Sequence, residues 1–237
     1  MLTIDLKAKP AEKAVIIEGF PGFGFVSTIA TEFLIKHLDA KPIGTIASTK
    51  LEPVAAIHNN QVLNPLQIFY DKKNNIVIVQ ALVPVDKLEW EIADTISDLA
   101  KRIKAKEIVS LEGVSSPMDA KSSKVFYYTS LKNKRTFDQT LKLPPLEEGI
   151  IVGVTGALLM KTQTPLSCFF VETHSKLPDN AGAARLVKTL DSYLGLDVDY
   201  KPLLAKAKEF EGKIKKLLGQ MSSIKEQKQK KDLDYMG

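Results

Sequence analysis

Three apolar runs of the chain end alike: Ile17-Glu18-Gly19, Leu111-Glu112-Gly113 and Val171-Glu172-Thr173-His174. In an open parallel sheet, ligand sites form at the carboxyl ends of the strands. If these runs are neighbouring strands, Glu18, Glu112 and Glu172 converge there with His174 beside them. Such a set suits general acid–base chemistry or a hard metal ion. The same residues suit plain capping of loops and helix starts, because carboxylates with shifted pKa values also arise in structural networks. Spacing alone does not separate the two. Other chemistries are poorly supplied. Ser27 lies outside any G-x-S-x-G elbow, and no Cys/His cluster has zinc spacing. The single cysteine, Cys168, sits in an apolar run and reads as a small buried hydrophobe. No metal and no cofactor is expected.

A second candidate is the stretch EGFPGFGFVSTIATEFL, Glu18 to Leu34. It runs from an apolar strand through a glycine-rich loop into a helix, the layout of a phosphate-binding turn. Gly22-x-Gly24-x-x-Ser27 supplies two of the three glycines of a dinucleotide fingerprint, and no Gly-Lys-Ser/Thr occurs anywhere. The following strand ends in Ser48-Thr49-Lys50, without the acid that would hold a ribose. Phe20, Phe23 and Phe25 are costly to expose without purpose. Packing beneath the loop, or contact with another subunit, therefore ranks above nucleotide binding.

Periodicity gives the elements that must hold these residues. A strand over 14–18 leads to a helix near 26–38 capped by Ser27 or Thr28, and 41–48 reads as the next strand. Gln67–Tyr70 and Ile76–Leu82 flank DKKNN as a hairpin. Asp86 and Glu89 form a capping box for a helix reaching about Lys104. Further strands fall at 107–113, 124–130, 149–154 and 166–174. One helix follows Thr155–Gly156, and a last one starts at Pro178-Asp179 and stops at Gly195. Strands alternating with helices predict a three-layer α/β sandwich over residues 1–200 with a mixed, largely parallel central sheet.

Composition bounds the rest. The chain has 237 residues with a net charge of +5. Residues 201–237 hold ten lysines against five Asp/Glu, so the other 200 residues balance at 23 of each sign. A folded basic face for nucleic acid is not expected. No apolar run approaches the ~20 residues of a membrane span, and MLTIDLKAKPAEK lacks the pattern of a secretory leader. The expected compartment is the cytoplasm. Leu203, Ala207, Phe210, Ile214, Leu217, Met221 and Ile224 are spaced 4, 3, 4, 3, 4, 3, a heptad seam that predicts an amphipathic helical extension over 201–226. A flexible basic tail follows over 227–237. Its Leu233, Tyr235, Met236 and Gly237 are the residues expected to dock if a terminal motif meets a partner groove. From these letters alone, a terminus without such a role is the better reading.

Three blocks together resemble the archaeal proteasome assembly chaperone family: GFPGFGFVSTIATEFLIKHL, GVTGALL and ETHSKLPDNAGAARLVKTLDSYLGLDVD. The resemblance covers roughly residues 10–200 in order. It implies a phosphorylase/hydrolase-like α/β sandwich in homo-oligomers without a demonstrated catalytic centre. It also implies binding to the α-subunits of the core proteasome, as an assembly chaperone or an ATP-independent activator. Some members end in a hydrophobic–tyrosine–any tripeptide, whereas this chain ends Asp234-Tyr235-Met236-Gly237, with its tyrosine third from the end. Relatives labelled ATP-grasp-like carboligases imply the alternative, an enzyme using the strand-end carboxylates.

Overall fold

The computed structural model describes residues 2–51, 53–58, 60–115, 124–173, 178–201 and 216. Strands β1 (Thr3–Leu6), β2 (Val15–Gly19), β3 (Lys41–Ala47), β6 (Leu66–Asp71), β7 (Ile76–Ala81), β8 (Glu107–Ser115), β9 (Val125–Thr129) and β10 (Leu166–Thr173) form one sheet in the order β1-β3-β6-β7-β2-β8-β10-β9. The four strands β7, β2, β8 and β10 are parallel neighbours, and antiparallel strands extend the sheet on both sides. It is the mixed sheet that the alternation implied. The short hairpin of β4 (Ala56–His58) and β5 (Gln61–Leu63) stands apart.

Helices cover both faces, which is why the central strands read as unbroken apolar runs. On one face, α1 (Val26–His37) packs against α4 (Asn180–Leu194), over Ile17, Ile78, Val109, Leu111, Phe169 and Val171. On the other, α2 (Glu89–Arg102) packs against α3 (Gly153–Lys161), over Ile16, Val77, Ile108, Cys168 and Phe170. Cys168 is fully buried, as its run implied. The hairpin turn is fixed by Asp71, whose carboxylate accepts from the amides of Lys73 (3.0 Å) and Asn74 (3.2 Å). Helix α4 has both expected ends: Asp179 Oδ1 accepts from the Gly182 amide at 2.8 Å, and Gly195 is left-handed at φ 68°.

The local expectations fail in several places. Residues 149–152 form no strand; they run as irregular chain into α3, with Ile150 93% and Val152 64% exposed. The run is apolar because it walls a groove and not because it enters the sheet. Neither Ser27 nor Thr28 caps α1. Its N-cap is Phe25, left-handed at φ 50°, while Ser27 Oγ donates to the Phe20 carbonyl at 2.5 Å. The box at Asp86 and Glu89 does not form either, since α2 starts from Leu88 without a side-chain cap. Among the elements that escaped the periodicity are β1, β5, the 3-10 turn Phe23–Phe25, and a π-helical turn over Thr136–Leu141 that buries Phe137 against Tyr127, Phe169 and Tyr193. Along the outer edge of β9, the Tyr127 amide donates to the Pro144 carbonyl (3.1 Å) and the Leu146 amide to the Tyr127 carbonyl (2.8 Å). The heptad positions, the terminal Leu233, Tyr235, Met236 and Gly237, and His174 lie outside the described residues.

Candidate functional site: a sealed carboxylate pair behind an open groove

Register brings two of the three glutamates together. Glu18 on β2 lies beside Ser110 on β8, and Glu112 follows two residues along the same face. The Ser110 hydroxyl donates to Glu18 Oε1 at 2.6 Å. The Thr155 hydroxyl, in the first turn of α3, lies 3.0 Å from Glu18 Oε1, 3.1 Å from Glu112 Oε2 and 2.9 Å from Ser110 Oγ. Two hydroxyl protons thus serve four contacts. A proton on Glu112, donated to Thr155, satisfies a third.

Electrostatics point the same way. Glu18 is fully buried, and its Oε2 has no well-formed hydrogen bond. Burial pushes its pKa up to about 7, against the opposing bonds from Ser110, Thr155 and the Phe20 amide. Glu112, half-buried, is pushed up to about 8 by burial first and by the neighbouring Glu18 charge second. The Gly113 amide also donates to Glu112 Oε1 at 3.0 Å. Glu172 does not join the pair. It stands four residues beyond Cys168, the register partner of Ser110, or ~13 Å along the strand. Its carboxylate accepts from the Lys124 amide at 2.9 Å. Among the described residues, no group of three His, Cys, Asp or Glu side chains is placed to hold a metal ion.

The glycine-rich turn closes over this pair. A side chain at Gly22 would run into the Glu112 carboxylate. Gly24 is left-handed at φ 64°, and its carbonyl accepts from the Asp179 amide at 2.8 Å, tying the loop to the start of α4. The space that a phosphate would take against Gly22 is therefore filled by Glu112. The three phenylalanines divide: Phe20 is buried, Phe25 half-buried, and Phe23 40% exposed. Outward from Glu112 opens a groove of about 1130 Å³, floored by Phe20, Phe126, Leu146 and Val154 and walled by Phe23 and the 144–153 segment. Ser110, Thr155 and the groove wall were not foreseen. Hydroxyls inside apolar runs carry no spacing signal, and a single apolar stretch such as GIIVGV reads as strand or wall alike.

The mixed sheet with helices on both faces defines an α/β sandwich. The sequence places it more narrowly. Residues 16–218 match the PAC2 family, and the chain belongs to it. Pyrococcus furiosus PbaA, an archaeal homolog of proteasome-assembly chaperone, is 29% identical, with a TM-score of 0.83 over 94% of this chain and 100% of that one. P. furiosus PbaB, an archaeal proteasome activator, shares the fold at 23% identity and a TM-score of 0.72, over 91% and 98% of the two chains. An uncharacterised protein of Methanocaldococcus jannaschii is 28% identical over 214 residues, 88% of this chain and 87% of its own.

Proposed function

We propose that this protein is a non-enzymatic proteasome-assembly chaperone or adaptor of the cytoplasm, which binds core proteasome α-subunits as a homo-oligomer. The observation that carries this reading is the likeness to PbaA, which covers 94% of this chain and 100% of that one. Several copies would present identical C-terminal segments, so weak contacts through Leu233, Tyr235, Met236 and Gly237 sum through effective concentration. The domain division belongs to the same proposal: an α/β body over 1–200, a heptad helix over 201–226 and a basic tail. Nucleic acid, membrane and a cofactor have no part in it. The carboligase alternative gains no support, because Glu112 fills the place of a phosphate at Gly22. Glu18 and Glu112 instead tie β2, β8 and α3 together.

Purified α-subunits should be retained by the full chain and lost, or weakened about tenfold or more, when the chain is cut after Ile224. Retention by neither form would end the proposal. Equal retention by both would move the contact from the tail to the body.

A further inference from the structure

The groove beyond Glu112 has an unusual lining. Its described residues include Asp86, Glu89, Glu112, Glu147, Glu148 and Glu172, and no lysine, arginine or histidine. Between these carboxylates stand apolar side chains open to solvent, with Phe23 40%, Val152 64% and Ile150 93% exposed. An apolar floor with a rim of one sign fits a chain segment that is apolar on one side and cationic on the other. The protein carries such a segment. Residues 203–224 hold the heptad seam from Leu203 to Ile224, with five lysines against two glutamates.

The path of the chain decides whose segment it is. After α4, Leu196, Val198 and Tyr200 pack with the α1/α4 face. The groove residues Phe20, Phe126, Leu146, Ile151 and Val154 belong to the α2/α3 face. Tyr193, near the end of α4, bonds Glu107 at the start of β8, whereas Glu112 to Ser115 at the other end of that strand line the groove, so the described chain after α4 lies on the opposite face and near the opposite end of the sheet from the groove. We propose that the groove receives segment 203–224 of a second copy of this chain, its seam on Phe23, Ile150 and Val152 and its lysines against Glu147 and Glu148. This inference rests on the self-association in the reading above and needs no proteasome.

The test is a photo-crosslink in the full-length protein, with benzoylphenylalanine in place of Ile150 and fragment mapping after irradiation. The expected product is a covalent dimer whose crosslink falls within 203–224. Its yield should drop about fivefold in the Glu147→Lys/Glu148→Lys background, and again between about 50 mM and about 500 mM salt. Crosslinks confined to one chain, crosslinks to the body of a second copy, or no crosslink at all would each overturn the proposal. So would a yield indifferent to charge reversal. A chain that crosslinks as stated yet retains no α-subunits keeps this inference and ends the proteasome reading; the opposite pair of results does the reverse.

Discussion

Strand β8 holds a carboxylate of raised pKa near each end, and protein groups surround the two differently. At its start, Glu107 accepts from Ser167 and, through both oxygens, from the Tyr193 hydroxyl at 3.0 and 2.9 Å. Burial still raises its pKa, against those bonds, but among the described residues no second carboxylate bonds into the network. Toward the other end, Glu112 shares Thr155 with Glu18, and one Glu18 oxygen lacks a well-formed bond. Glu107 bonds only hydroxyls and braces β8, β10 and α4. Glu112 faces Glu18, so a charge on one raises the cost of a charge on the other and the pair becomes sensitive to pH.

Removing the brace should have the largest effect. Glu107→Ala removes the shared acceptor of the buried Ser167 and half-buried Tyr193 hydroxyls, and urea titration at pH 7 should show a loss of about 3 kcal/mol. A loss below about 1 kcal/mol would erase the contrast between the two ends. Next comes the pH profile. The native carboxyls hold their protons to about 7 and about 8, against 4.5 for an ordinary glutamate. Below that ordinary value both states are protonated and the stabilisation is complete. As pH rises from there to about 8 the native chain binds more protons than the unfolded one, so stability falls. Thermal unfolding should register a loss of about 2 kcal/mol between about pH 5 and about pH 8.5. Glu112→Gln should flatten that fall by about half; an unchanged slope would place the titration elsewhere. The smallest effect belongs to Thr155→Val, about 1 kcal/mol near pH 5.5 and somewhat more near pH 8.5, where the lost hydroxyl would have faced a charged Glu112. Equal losses at the two pH values would mean that Thr155 serves packing alone.

The carboxylates on β2 and β8 were legible because a strand-end glutamate before glycine has a fixed place in a parallel sheet, and the buried runs announced that sheet. Glu172 misled for a definable reason. Its run ends with the same letters, yet register carries it ~13 Å past the Ser110 level, and a sequence holds strand identity better than register. Thr155 was invisible, since its role depends on α3 meeting β2 and β8, strands that lie 137 and 45 positions away at Glu18 and Ser110. The same limit explains GIIVGV: four of its six letters favour a strand, and the groove that they wall exists only after folding. The hairpin and α4 were easy by comparison, because Asp71, Asp179 and Gly195 act on backbone within a few residues of themselves.

The strap of Pro144, Pro145 and Leu146 on β9 has a consequence for assembly. A bare edge strand is a template onto which another chain can zip without limit. Here that edge is occupied, and two of the three covering residues have no amide hydrogen to offer the next strand. The opposite border, β1, is four residues long, and a short edge strand offers little backbone for strand addition. Strand addition is thus blocked at β9, so any contact that another chain makes along the β9 border has to be made through side chains.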